Sequence, residues 1–137
     1  MLLDTMVISD LVKPRPNAEL IAWARSTDLD LAFLSAISVE EIELGIQLKQ
    51  RKDPAQSERL RRWFDGVLEQ FAGHILPFDA ETAQRAAKLH SDRTRPANDA
   101  RIAATALQHK LTLVTRNTKD FEGIPLRLLN PYTPGSP

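Results

Sequence analysis

Short runs of apolar residues alternate along the chain with longer segments in which apolar residues recur every three or four positions. The short runs are typical of buried strands, and the longer segments of amphipathic helices. Parallel strands need helical crossovers, so this alternation predicts an α/β fold, a three-layer α/β/α sandwich with a mainly parallel central sheet. The predicted strands are Met1–Leu3, Leu29–Ala36, His74–Phe78, Leu111–Thr115 and Leu126–Leu129.

Six amphipathic segments connect these strands, and turn-forming residues mark several of their ends. Lys13–Asn17 is predicted to be a turn because its two prolines interrupt a helix, and Lys49–Lys52 is predicted to be a basic turn. Pro54 favours a helix start, since proline is preferred in the first helical turn, and Gly73 ends that helix. The predicted helices span about Thr5–Val12, Ala18–Arg25, Ser38–Lys49, Asp53–Phe71, Ala80–Ser91 and Asn98–His109.

The length of the chain fits one domain. With 137 residues it can bury about two-thirds of its unfolded surface, so it needs no disulfide or structural metal. We expect residues 1–130 to form a single domain. Residues 131–137 contain three prolines and a glycine, and we expect them to be a mobile C-terminal tail.

Composition restricts the compartment and the chemistry. The chain contains no Cys, which excludes thiolate metal sites and fits a reducing compartment. Its start lacks the basic region of a signal peptide, and no run approaches the ~18 apolar residues of a membrane span. The sequence therefore predicts a cytoplasmic protein. Eighteen basic and eighteen acidic residues balance, so any nucleic acid must be held by local basic groups.

Four acidic residues fall where predicted strands give way to helices or loops. In parallel sheets ligands gather beyond the carboxyl ends of the strands, so such residues can converge in space. Carboxylate oxygens are the ligands that Mg²⁺ and Mn²⁺ prefer, and a cation relieves their mutual repulsion. The pattern favours a metal site that hydrolyses phosphate esters. The four acids are Asp4, Glu41, Asp99 and Asp120.

Each acid also has a local structural explanation. Asp4 and Asp99 are suited to helix N-termini, where an acid caps backbone N–H groups or complements the helix dipole. Ser38 and Glu41 match a capping box, and Asp120 lies in a turn. Taken singly, these structural roles are the more common ones; only the set of four indicates a metal site.

Two basic residues lie close to Asp120 in the sequence. Arg116 and Lys119 follow the strand that ends at Thr115, and they are candidate contacts for a phosphate backbone. The alternative is that they belong to a solvated surface loop.

These residues resemble the motifs of the PIN-domain family, in the family's order and over nearly the whole chain. Within that family the chain is most similar to the VapC-type and FitB-type toxins of bacterial toxin–antitoxin pairs. The matching segments are Leu2–Ser9, Leu34–Gly45, Asn98–Ala106, Leu113–Phe121 and the ending Leu129–Tyr132.

The resemblance implies a PIN-like fold and an endoribonuclease that depends on Mg²⁺ or Mn²⁺ and leaves a 5′-phosphate and a 3′-hydroxyl. It also implies a homodimer that is silenced by a cognate antitoxin. The family's catalytic and metal-binding acids map onto Asp4, Glu41, Asp99 and Asp120. Supporting polar positions map onto Ser38, Thr115 and Asn117.

Two departures from the family pattern bear on activity. Met6 stands where the family usually has Asn, and the loop Arg93–Asn98 is shorter than usual. Because an amide that orients metal ligands is missing, we expect weaker metal binding or activity. The alternative function is therefore a catalytically weak or inactive PIN-like module that binds an antitoxin or RNA without cutting. A phosphoacceptor receiver domain is less favoured, since its paired acids at one strand end are not evident.

Overall fold

The computed structural model describes residues 1–134, which form five short strands and six α-helices. The strands are β1 Leu2–Leu3, β2 Leu34–Ser35, β3 Ile75–Leu76, β4 Leu113–Val114 and β5 Leu128–Leu129. The helices are α1 Thr5–Asp10, α2 Ala18–Arg25, α3 Ala36–Lys52, α4 Pro54–Gln70, α5 Ala80–Asp92 and α6 Ala97–Gln108.

Parallel pairing orders the strands as β3-β2-β1-β4-β5. Strand β4 pairs with β1 on one side and with β5 on the other, and β2 pairs with β3. A parallel bridge between Leu2 and Phe33 joins the two groups: Leu3 N donates to Phe33 O (3.0 Å) and Phe33 N donates to Met1 O (2.9 Å). The predicted parallel-centred α/β fold is confirmed, and the carboxyl ends of all five strands lie at one edge.

Helices cover both faces of this sheet because neighbouring strand residues point in opposite directions. Leu2 and Leu113 belong to a core with α6, whereas Leu3 and Val114 belong to a core with α2, α3 and α4. These four strand residues are at most 2% exposed. The three-layer arrangement follows from this alternation. Within residues 1–134, no helix combines the length and apolar character needed to cross a membrane.

The predicted strand Leu29–Ala36 is wrong over most of its length. Leu29–Leu31 form a 3-10 helix, and only Leu34–Ser35 pair as a strand. The Asp28 side chain accepts from Asp30 N (3.0 Å) and so closes a turn at the start of the apolar run. A local side-chain hydrogen bond therefore outweighs the strand preference of the neighbouring apolar residues.

Helix α3 is longer at both ends than predicted. Its N-cap is Ser35, whose hydroxyl oxygen accepts from Ser38 N (3.0 Å), so the capping box assigned to Ser38 and Glu41 is wrong. The predicted basic turn Lys49–Lys52 is helical. Lys, Gln and Arg are good helix formers, and cations at the last turn complement the helix dipole. Asp53 then starts α4 by accepting from Gln56 N (3.1 Å).

Helix α6 begins one residue before its predicted start at Asn98. Pro96 occupies the N-cap position and makes no side-chain capping bond. Asn98 lies inside the first turn, where its side chain accepts from Arg101 Nη1 (2.8 Å). Asp99 remains in the first turn, as predicted.

The segment predicted to be a mobile tail is held at its start. Pro131 is buried, and the Tyr132 ring packs against the core cluster on the α2–α4 side. The Tyr132 hydroxyl donates to Asp10 Oδ2 (2.5 Å). Tyr132 is therefore held against the domain by its packed ring and by its hydrogen bond to a buried carboxylate. Residues 135–137 of the predicted tail lie outside the described residues.

The difference in burial between two leucine residues predicts how much each contributes to stability. Leu20 on α2 is fully buried, whereas Leu44 on α3 is 56% exposed. We expect Leu20→Ala to lower the free energy of unfolding by about 2–5 kcal/mol, and Leu44→Ala by less than about 1 kcal/mol. Urea unfolding followed by circular dichroism measures both. Equal losses in the two variants would contradict this assignment of the core.

Candidate active site

Asp4 directly follows β1 and is fixed by two hydrogen bonds. Its Oδ1 accepts from Thr5 N (2.8 Å), so Asp4 caps α1 as predicted. Its Oδ2 accepts from the Thr115 hydroxyl (2.8 Å). Thr115 follows β4, the strand paired with β1, and the sheet therefore places these two side chains together. Asp4 is 8% exposed, and each of its oxygens keeps a lone pair for a further ligand.

Glu41 reaches the same strand ends from α3 through Thr5. The Thr5 hydroxyl lies 2.8 Å from Glu41 Oε1 and 2.7 Å from the Ser38 hydroxyl. A carboxylate only accepts, so Thr5 donates its single hydroxyl proton to Glu41. Ser38 is fully buried and also contacts Ser35 Oγ (3.4 Å). This chain of hydroxyls ties the first turns of α1 and α3 to each other and orients the Glu41 carboxylate.

The pKa of Asp99 depends on its burial and on the charges of the other three predicted acids. Burial, together with the charges of Asp4, Asp120 and Glu41, raises the pKa of Asp99 to about 6, although Arg95 opposes the shift. Carboxylates far apart in water would not perturb one another in this way. Asp4, Glu41 and Asp120 therefore lie near enough to Asp99 for their charges to raise its pKa.

Burial and neighbouring charges also raise the pKa of Asp4, but two local hydrogen bonds oppose this rise. Burial raises the pKa of Asp4, hydrogen bonds from Thr115 and Thr5 lower it, and the charges of Glu41 and Asp120 raise it further. The net pKa shift is upward. Placing four ionised carboxylates here costs free energy that a cation between them would recover.

Asp120 and Asn117 occupy the exposed side of the site. Asp120 lies on the 3-10 helix Thr118–Phe121, and its N–H donates to Asn117 O (3.0 Å). Asn117 N donates to Thr115 Oγ1 (3.1 Å), so the loop is attached to the hydroxyl that supports Asp4. The contact of Asn117 with Thr115 is therefore made by its backbone N–H.

The two predicted phosphate contacts differ in their surroundings. Lys119 is exposed, and its side chain makes no hydrogen bond or ion pair within residues 1–134. Arg116 is also exposed, but its Cζ lies 4.9 Å from the centroid of the Tyr132 ring. Both cations lie on the segment that follows Thr115 and leads to Asp120, and of the two Arg116 is held against a neighbouring ring.

Two residues of the site had no role assigned from the sequence. Thr5 was visible only as the neighbour of Asp4, yet its hydroxyl bridges Glu41 and Ser38. Arg95 lowers the pKa of Asp99, and its Nε and Nη1 atoms are buried without a hydrogen-bond partner within residues 1–134. No feature of the sequence distinguishes Arg95 from Arg93 in the same polar loop.

The donor set is chemically suited to a hard divalent cation. Within residues 1–134, no three His, Asp or Glu side chains stand in an arrangement that would hold one ion by themselves. Mg²⁺ usually takes only one or two protein carboxylates and completes its octahedral shell with water, so this arrangement and a hydrated ion are compatible. The upward pKa shifts of Asp4 and Asp99 are what an acidic site for such an ion would produce.

Comparisons with known proteins agree with this geometry. The PIN domain profile matches residues 1–125. The chain is 41% identical to Toxin FitB of Neisseria gonorrhoeae over 138 residues, covering 96% of this chain and 97% of that protein. It is 34% identical to VapC ribonuclease Y4jK of Sinorhizobium fredii, covering 96% and 97%. The structure resembles a toxin–antitoxin complex from Klebsiella pneumoniae with a TM-score of 0.71 and 32% identity, covering 96% and 97%.

The matches span almost the full length of the chain and include all four acids. The chain therefore belongs to the PIN-domain family.

Proposed function

We propose that this chain is the endoribonuclease toxin of a toxin–antitoxin pair and hydrolyses RNA phosphodiester bonds with the aid of Mg²⁺ or Mn²⁺. The observation that carries the proposal is the acid site, in which burial and the charges of three other carboxylates raise the pKa of Asp99 to about 6. Perturbed acids gathered at one sheet edge are typical of catalytic sites. The relatives named as a ribonuclease and as a toxin support the same class.

Asp4, Glu41, Asp99 and Asp120 would hold the hydrated divalent ion, one or two of them directly and the others through its water molecules. When bound, the ion would neutralise charge on the scissile phosphate and lower the pKa of the attacking water. Asp4 is buried, Glu41 and Asp99 are half-buried, and Asp120 lies exposed on the solvent side.

The hydroxyl groups around the acids would orient the carboxylates that hold the ion. Thr115 donates to Asp4 Oδ2 (2.8 Å) and Thr5 donates to Glu41 Oε1 (2.8 Å), so each carboxylate presents its remaining lone pairs in a fixed direction. Such supporting bonds typically change metal affinity or activity by about 10–100-fold when they are removed. Ser38 in turn fixes the Thr5 hydroxyl.

The partners follow from the chemistry and from the relatives. Arg116 and Lys119 would contact RNA phosphates beside the acids, because both cations are exposed next to Asp120. We also propose a homodimer and a cognate antitoxin protein; a similar structure is described as a toxin–antitoxin complex. An antitoxin would silence the enzyme by covering the acidic site.

The function is tested by incubating the purified full chain with a single-stranded RNA oligonucleotide and Mn²⁺. We expect cleavage that stops on chelation and returns with added Mn²⁺ or Mg²⁺, with product ends carrying a 5′-phosphate. Binding of RNA without cleavage at any metal concentration would contradict the proposal and favour the inactive module. Co-expression with the neighbouring small reading frame, followed by co-purification, tests the antitoxin separately.

A further inference from the structure

The turn Asn130–Tyr132, near the end of the described chain, contacts Arg116 through both backbone and side chain. Tyr132 N donates to Asn130 Oδ1 (2.9 Å), which closes the turn. Asn130 Nδ2 donates to Arg116 O (3.5 Å), and the Arg116 guanidinium lies over the Tyr132 ring at 4.9 Å. A guanidinium within about 6 Å of a ring centroid is attracted by the ring's negative face. This short turn therefore contacts both the backbone carbonyl and the guanidinium of Arg116.

Tyr132 is itself fixed by a buried carboxylate at the end of α1. Its hydroxyl donates to Asp10 Oδ2 (2.5 Å), and Lys13 Nζ lies 2.6 Å from Asp10 Oδ1. Burial, the hydrogen bond to Asp10 and the negative charges of Asp10 and Asp4 raise the pKa of Tyr132, although Arg116 opposes the shift. The hydroxyl therefore stays protonated and remains a donor at neutral pH. The ring that supports Arg116 is therefore held by its packing against the core and by the hydrogen bond from its hydroxyl to Asp10.

The charge balance leaves Arg116 able to bind an anion. Asp10 is 5% exposed and binds Tyr132 and Lys13; the charge of Arg116 helps to lower its pKa, but within residues 1–134 the two make no ion pair. Lys13 and Arg116 together exceed the single charge of Asp10 by one. Within residues 1–134 the Arg116 guanidinium donates no hydrogen bond, so stacking on the ring leaves its N–H edge available.

The position of Arg116 connects this cluster to the acids. Arg116 directly follows Thr115, whose hydroxyl donates to Asp4. We propose that the Asn130–Tyr132 turn is a positioning element, which holds the Arg116 guanidinium beside the carboxylate site as a pre-ordered contact for an RNA phosphate. This inference rests on the proposed ribonuclease function and assigns the C-terminal turn a part in it.

Lys119 provides a natural contrast to Arg116. It carries the same charge in the same loop, but its side chain makes no hydrogen bond or ion pair within the described part of the chain. A long, unrestrained side chain loses about 1.5–2 kcal/mol of rotamer entropy when it is ordered on a ligand. Arg116 has already been ordered by Tyr132 on folding. Its contribution to RNA affinity should therefore depend on Tyr132, whereas that of Lys119 should not.

The test is a double-mutant cycle on the full chain, read as KM and kcat for cleavage of a single-stranded RNA oligonucleotide at several salt concentrations. We expect Arg116→Ala and Tyr132→Leu each to raise KM about tenfold while kcat changes less than about threefold. Arg116→Ala should also reduce the slope of log(1/KM) against log[salt] by about 1, as expected for one lost phosphate contact. The double variant should have the KM of Arg116→Ala alone, because the two residues act as one unit.

Lys119→Ala is the matched control, and its effect on KM should multiply with that of Tyr132→Leu. Multiplying effects of Arg116→Ala and Tyr132→Leu, or a Tyr132→Leu variant that loses kcat at unchanged KM, would overturn the inference. If Tyr132→Leu does not fold, Tyr132→Phe replaces it: a KM increase of about threefold should vanish in the Arg116→Ala background. A parent protein that binds RNA without cutting it contradicts the proposed function instead, so the two failures are distinguishable.

Discussion

Asp99→Asn and Asp4→Asn are each expected to reduce RNA cleavage at least about a thousandfold at neutral pH while leaving the fold intact. Each substitution removes a negative charge from the site where a divalent ion would be held, and several kcal/mol of transition-state stabilisation depend on that ion. Asparagine has nearly the volume of aspartate and keeps an acceptor oxygen. Cleavage rates at saturating Mn²⁺, with circular dichroism as a check of folding, measure the effect.

Two exposed acids provide the controls. Asp92 ends α5 and is exposed, so Asp92→Asn removes the same charge away from the site and should keep full activity. Glu40 and Glu41 are neighbours on α3, but only Glu41 contacts Thr5. Glu41→Gln should therefore lower cleavage strongly and Glu40→Gln should not. Equal activity of Asp99→Asn and the parent protein at matched metal would end the assignment of these acids.

A second large effect is expected in the pH dependence of cleavage. Burial and the three neighbouring carboxylates raise the pKa of Asp99 to about 6. At limiting Mn²⁺ the cleavage rate should fall about tenfold per pH unit below that value, because a protonated Asp99 is a poor ligand. Saturating Mn²⁺ should move the midpoint to lower pH, since the ion and the proton compete for the same carboxylate. A midpoint that does not respond to Mn²⁺ would contradict this.

The same pKa shift predicts how stability changes with pH in the presence of a chelator. The pKa of Asp99 rises from 3.8 to about 6 on folding, so between these values the folded protein binds more protons than the unfolded chain. The free energy of unfolding contributed by Asp99 is therefore highest below pH 4 and declines as the pH rises to about 6. Asp99 is partly exposed, so we expect a change of about 1 kcal/mol after allowing for solvent screening.

Urea unfolding at pH 4.5 and pH 7 measures this slope. Asp99→Asn should flatten it and should be more stable than the parent at pH 7 under chelation, whereas Asp92→Asn should keep the parental slope. Asp4, whose pKa burial also raises, contributes a smaller decline in the same direction. Groups with a lowered pKa lie outside the four acids. The hydrogen bond from Arg61 lowers the pKa of Glu43 to about 2, and the stability that this bond contributes is lost only in acid.

Two errors of sequence-based prediction occurred where side chains hydrogen-bond to nearby backbone. Asp28 closes a 3-10 turn inside a run of residues with strand character, and Ser35 starts α3 before the more obvious candidate Ser38. Periodicity does not distinguish between several Ser and Asp residues that can all cap. The residue that caps is the one whose side-chain oxygen lies near an available backbone N–H group in the folded protein.

The sequence by itself determined the alternation of strands and helices, and with it the parallel sheet and the strand ends where Asp4 and Asp120 lie. Hydrophobic periodicity is sufficient for this, because burying apolar residues on both faces of a sheet permits few arrangements. Only the tertiary structure decided that Thr5 orients Glu41, that the charge of Arg95 opposes the rise in the pKa of Asp99 and that Tyr132 supports Arg116. Those contacts join segments as much as 36 residues apart, as between Thr5 and Glu41, and local sequence carries no information on distances of about 3 Å between such side chains.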